Sequence, residues 1–295
     1  MKDMDNVAAI DIGSNAIRFL IYNIGDDTEI KKSHKVAFVR APIRLGEDVF
    51  SSGEISQRRR ELFSEAMQGF SHLMKAFCVK KYRACATSAM REAKNGREVI
   101  AEAKESSGID VEIISGQEEA QLIYDASGLS DNPLARTTVN IDVGGGSTEV
   151  VLQSDGKILD AQSFPLGTVR SLKKAIKDED KEAYKAHMKS IGERFPEIAI
   201  IGSGGNINRA AELLSKRDGE VIAYVELKML YDMLKKMSFE DRVRSFKLNP
   251  YRADVIIPAL KIFLMASKRC NGAPIIVPQV GLTDGLIKQF IKERG

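Results

Sequence analysis

Apolar and polar positions fall twice into the same figure along this chain. Residues 6–24, NVAAIDIGSNAIRFLIYNI, run an apolar strand into Asp11, turn through a glycine and small polar residues, and resume β-type sequence. Residues 138–153, TVNIDVGGGSTEVVLQ, repeat the figure around Asp142 and three consecutive glycines. A further candidate strand follows each, KKSHKVAFV after the first and KILDAQSF after the second. The pattern is strand, turn, strand. Both familiar phosphate-binding glycine motifs, the P-loop and the dinucleotide fingerprint, need the glycine loop to open a helix, so neither applies.

Helical and strand periods alternate after each figure. Over 56–77 the apolar positions Leu62, Phe63, Ala66, Met67, Phe70, Leu73, Met74 and Phe77 share one helical face. A strand at 83–87, a helix at 99–104, a strand at 111–114 and a helix at 116–126 are predicted next. In the second half, helical sequence at 169–176 and 181–191 precedes the strand EIAIIG and a helix from about Asn206. Helices near 227–237 and 253–267, the strand PIIVP and a last helix from about Leu282 complete the chain. Two strand-rich openings, each followed by α/β alternation, predict duplicated α/β domains, 1–127 and 128–282. The turn-rich segment DASGLSDNPLART is the predicted crossing, and the helix over about 283–295 is expected to return to the first domain.

A chain of 295 residues with 43% hydrophobic content has room for two cores. Its 44 basic and 41 acidic residues nearly cancel, which argues against a nucleic-acid-coating protein. The N-terminus lacks a basic and apolar leader, and no window approaches ~18 uninterrupted apolar residues, so a cytoplasmic protein without a membrane partner is expected. Cys78, Cys85 and Cys270 have no CxxC spacing and read as buried thiols in a reducing compartment. His34, His72 and His187 are dispersed and make no zinc site.

A hairpin turn without side chains lets successive N–H groups converge on an anion. One such turn is as readily plain punctuation; two matching turns, each led by an Asp at a strand end, favour phosphate. The candidate phosphate-binding residues are Gly13, Ser14 and Asn15 in the first turn and Gly144, Gly145, Gly146 and Ser147 in the second. Asp142 and Glu149 flank the second turn with the hard oxygens that Mg²⁺ or another divalent cation prefers, and Asp11 is the matching acid of the first. In SGQEEAQLIY, Ser115 as N-cap and Glu118 form a capping box, whereas Glu119 points about 100° away around the helix. Taken alone, both glutamates are also well placed simply as acids in a helix's first turn.

DIGSNAIRF, RLGEDV, ATSAMREAKN, SGQEEAQLIY, IDVGGGSTEV, FPLGTVR, IGSGGN and GLTDGLI, in this order over almost the whole chain, resemble the motifs of the exopolyphosphatase and guanosine pentaphosphate phosphohydrolase family. IDVGGGSTE alone also suits other members of the actin, sugar kinase and heat-shock ATPase superfamily; TSAMREA with SGQEEAQLIY is more particular. The resemblance implies two ribonuclease-H-like, actin-like domains with the ligand in an interdomain cleft. It implies release of terminal phosphate from inorganic polyphosphate, or alternatively from guanosine pentaphosphate, with Glu119 as base and Arg91 as phosphate-contacting arginine. Arg18 and Arg44 are weaker candidates of the latter kind, the run Arg58, Arg59 and Arg60 reads as a solvated face or a basic track, and Gly204 is expected near the far phosphates. Ala16 stands where a second Ser is usual, Thr283 and Asp284 replace an Arg-containing pair, and the chain is shorter than long members. A homodimer is compatible with so short a chain, although no sequence feature specifies one. A kinase of the superfamily and a non-catalytic nucleotide sensor are the rival classes.

Overall fold

The computed structural model describes residues 5–25, 34–127, 137–217 and 220–294. Most of the predicted crossing segment, residues 128–136, therefore lies outside the described residues. The chain divides into two compact units, Met1–Ser115 with Leu282–Gly295, and Gly116–Gly281.

In the first unit, strands β1 (Asn6–Ile12), β2 (Ile17–Asn23), β3 (His34–Ala41), β4 (Lys81–Ala86) and β5 (Glu112–Ile113) form one sheet in the order β3-β2-β1-β4-β5. The hairpin pairs are antiparallel, and β1·β4 and β4·β5 are parallel. Helices α1 (Leu45–Ser52), α2 (Gln57–Ala76), α3 (Ser88–Glu92) and α4 (Gly96–Ser107) follow the hairpin and flank β4 in sequence. Every residue of β1 is buried, as a central strand covered on both faces requires. On α2 the predicted face narrows to Phe63, Met67, Phe70 and Met74, each worth about 1.5–3 kcal/mol on full burial. Phe70 stacks on Phe19 of β2 with centroids 4.7 Å apart.

The second unit opens with α5 (Gly116–Ser127) and then repeats the topology with β6 (Thr137–Val143), β7 (Thr148–Ser154), β8 (Lys157–Phe164), β9 (Ala199–Ser203), β10 (Val221–Ile222) and β11 (Ile275–Ile276). The order β10-β11-β9-β6-β7-β8 contains the first sheet's arrangement with β10 added at the edge. Helices α6 (Thr168–Leu172), α7 (Asp178–Arg194), α8 (Gly205–Leu213), α9 (Tyr224–Lys236), α10 (Phe239–Phe246), α11 (Pro250–Ala253) and α12 (Ile256–Arg269) flank it. Val139, Ile141 and Val143 of β6 join one core with α12 residues such as Leu260 and Phe263.

Three details depart from the sequence reading. First, α5 packs on β7 and β8, with Ala120 and Tyr124 against Val151, so it groups with the second unit and the division falls before Gly116, not after 127. Helix α13 (Leu282–Lys292) packs on β1 and β2 in the first unit. Second, the helix expected at 253–267 is broken into α11 and α12. Pro258 has no N–H and collides with the carbonyl four residues back, so the helix restarts with Pro258 in its first turn. Third, Cys78 is exposed at a positive-φ position (φ 51), and only Cys85 and Cys270 are buried. Burial pushes the Cys85 thiol pKa well up and that of Cys270 up to about 11, so both stay protonated near neutrality.

Candidate active site

The GGGS turn joins β6 to β7, and its conformation is set by FPLGTVR. The carbonyl of Gly144 accepts from Thr168 N–H (3.0 Å), that of Gly145 from Val169 and Arg170 N–H (2.8 and 3.1 Å), and that of Gly146 from the Arg170 Nε–H (2.7 Å). All three carbonyls are thus tied to the start of α6. A trans peptide holds its N–H opposite its C=O, so the N–H groups of Gly145, Gly146 and Ser147 point away from α6. Successive backbone N–H groups turned to one side in this way can receive an anion. None of the turn's three glycines is among the positive-φ residues, whereas a β-carbon on Gly167 would penetrate the Gly145 carbonyl, so the close packing requires a glycine at 167. Arg170, only 7% exposed, clamps this turn; FPLGTVR was recognised as a motif, but its arginine was not singled out.

One face of the second sheet carries the candidate acids. With Val139, Ile141 and Val143 in the core, alternation places Thr138, Asn140 and Asp142 on the opposite face of β6. Asp142 is in register with Glu149 on β7 and with Ser203 on β9. Glu149 is buried, and its Oε1 accepts from Ser163 Oγ (2.9 Å). Helix α5 lies on this same face: Tyr124 donates to Gln153, whose Nε2 donates to Thr138 Oγ1 (2.8 Å). Glu119, in its first turn, is 7% exposed, while Glu118 is exposed. The two adjacent glutamates are thereby separated as the helical angle requires. Gly204 has φ 100, and a β-carbon there would stand 3.1 Å from Asp142 Oδ1, so it is needed both for backbone and for space.

The first unit's turn is more heavily engaged by protein. Asp11 and Arg18 face each other in register and form an ion pair beside Gly13. Arg18, a candidate phosphate ligand, thus has a structural partner of its own. Ser14 is buried and shares a hydrogen bond with Ser88 Oγ (2.8 Å), while accepting from Ala89 N–H (3.2 Å) at the start of α3. Asn15 is half-buried, and Ala16 tucks its methyl inside where a hydroxyl is usual.

Arg91 projects from α3, and its Nη1 donates to the Ile114 carbonyl (2.6 Å). Arg44 pairs with Glu47 (2.8 Å) at the N-cap of α1. The basic run is no track: Arg59 binds Glu47 and Asp48, Arg60 binds Glu98 and Glu102, and only Arg58 is largely exposed. Lys35 pairs with Asp284 (2.8 Å). Among the described residues no three His, Cys, Asp or Glu side chains gather as a metal-holding group. Asp142 opposite Glu149 nonetheless offers paired hard oxygens of the kind that supplement water and phosphate around a small divalent ion. No helix among the described residues is long and apolar enough to cross a membrane.

Two α/β units of common strand order, each carrying an Asp-led hairpin in its sheet, make up the two-domain actin-like fold. A model of the Ppx/GppA phosphatase family matches residues 26–293, and the chain belongs to that family. It is 28% identical to the Ppx/GppA member of Aquifex aeolicus, whose structure superposes with a TM-score of 0.78 over 99% of both chains. The fold is shared with an exopolyphosphatase from Cytophaga hutchinsonii at 21% identity, TM-score 0.84 and 98% coverage of each chain. A guanosine-5'-triphosphate,3'-diphosphate pyrophosphatase of Vibrio cholerae is 25% identical over 97% of this chain; the chain spans only 59% of that relative's length.

Proposed function

We propose that this chain hydrolyses terminal phosphoanhydride bonds and releases orthophosphate from inorganic polyphosphate. One observation carries the proposal: N–H groups of the GGGS turn are directed outward by the tether to α6, and the sheet face below carries Asp142, Glu149 and, on the helix laid across it, the buried Glu119. The turn's N–H groups bind the terminal phosphoryl and stabilise charge developing on its oxygens. Glu119 accepts the proton of the attacking water, a task suited to a carboxylate held away from bulk solvent. Asp142 and Glu149 would hold Mg²⁺ or another divalent cation, which when bound neutralises phosphate oxygens. Gly13, Ser14, Asn15 and Arg91 are assigned to further phosphate contacts on the strength of the family resemblance. The two buried, unbridged thiols support a cytoplasmic setting.

The Vibrio cholerae relative's name favours a second reading, the same chemistry on guanosine pentaphosphate. Purified protein incubated with each substrate decides between them: the first reading expects faster orthophosphate release from polyphosphate, the second faster conversion of the nucleotide to its tetraphosphate. Turnover of neither, with tight binding of one, would instead establish a sensor.

A further inference from the structure

Beneath the GGGS turn, three buried polar atoms on adjacent strands have no hydrogen-bond partner among the described residues. Asn140 is 4% exposed, and neither its Oδ1 nor its Nδ2 has a hydrogen-bond partner among the described residues. Its cross-strand neighbours are Val151 and Ile201. Valine would suit such a position better, because burying an unpaired polar group costs about 1–3 kcal/mol. Ser203, 1% exposed, has an Oγ in the same condition. Thr138, next along the same face, is by contrast satisfied by Gln153. The unserved atoms are thus confined to the end of the face that carries Asp142.

We propose that Asn140 is a positioning residue, which together with Ser203 holds an internal water against Asp142 and so fixes that carboxylate beneath the phosphate-binding turn. The inference rests on the hydrolase reading of this site. Asn140 and Asp142 are two residues apart on one strand, a step of about 6.6 Å, and Ser203 stands directly opposite Asp142. One water making hydrogen bonds of about 2.8 Å to either side spans that step. The Asn140 amide N–H donates to the water, the water donates to the Asp142 carboxylate, and the Ser203 hydroxyl supplies a third contact. Three polar partners are what an internal water typically has. On its β9 side the Asp142 carboxylate lies against Gly204, where a β-carbon would stand 3.1 Å from its Oδ1, and the water adds a restraint from the β6 side.

The test is kinetic and structural. In Asn140→Val, kcat for orthophosphate release is expected to fall about 10-fold or more and the Mg²⁺ requirement to rise, as loss of a group orienting a ligand does, with KM for polyphosphate little changed. Thermal stability should hold or increase, and Asn140→Ser should recover part of the rate. A variant that matches the native kcat and Mg²⁺ dependence, or one that loses only stability, would overturn the proposal. If the native chain turns over neither substrate, the hydrolase reading fails, and a crystal structure resolving waters still decides this point. Density bridging Asn140, Ser203 and Asp142 upholds the assignment; no water there refutes it.

Discussion

Gly167 lies so close to Gly145 that a β-carbon on it would fall within van der Waals range of the Gly145 carbonyl and the Gly146 backbone. The GGGS turn and the start of α6 therefore form one packed piece, and the direction of the turn's N–H groups depends on this contact. Gly167→Ala must push the two backbones apart, at a cost of about 1–3 kcal/mol typical of overpacking. A lower thermal midpoint together with a raised KM for polyphosphate is expected. An unchanged KM would show that the turn's conformation is set elsewhere.

Arg18 is predicted to act mainly through Asp11. The Asp11 side chain is 4% exposed and the Arg18 side chain 35%, so removing the guanidinium leaves a buried carboxylate with its cross-strand partner gone. Breaking a buried pair costs several kcal/mol, and the partial exposure of Arg18 reduces the expectation to about 1–3 kcal/mol. Chemical denaturation of Arg18→Met should show this loss. Were stability retained while KM rose sharply, Arg18 would be a substrate ligand instead.

His187 gives the second unit a defined pH response. Burial lowers its pKa below the ordinary value, outweighing the raising effect of Asp160 at 3.5 Å. The folded state therefore disfavours the protonated imidazole. Its stabilising contribution is complete above the unfolded pKa of ~6.5 and is lost as pH falls toward the folded pKa, because in that window the unfolded chain binds the extra proton. Thermal melts between pH 7.5 and pH 5 should decline less steeply in His187→Gln than in the native protein. Equal slopes would remove His187 from the acid response.

What the sequence disclosed follows from which signals are local. The two hairpins were legible because each apolar run ends on its own Asp and glycine, and α2 because Phe63, Met67, Phe70 and Met74 recur at helical spacing. Helix α1 was not foreseen: it is short, with Gly46 in its first turn, and it starts from a left-handed Arg44. The two-residue β10 and the eight-residue α10, which packs only Val243 and Phe246 part-way against the core, carry no period long enough to read. Within the site, capping logic distinguished Glu119 from Glu118, and burial agrees with the distinction. That α5 rests on β7 and β8 was not legible, since a helical face specifies burial without specifying the sheet that receives it. Asn140, Ser203 and Arg170 were missed for the same reason: their significance lies in which strand or turn each one adjoins.

The most direct measurement of the central claim is orthophosphate release from polyphosphate by Glu119→Gln beside the native chain, with thermal melts of both. Loss of a general base lowers the rate by about 10²–10⁴-fold. The account predicts a fall of that size in kcat with the melting midpoint preserved. A variant that hydrolyses polyphosphate at the native rate would contradict it.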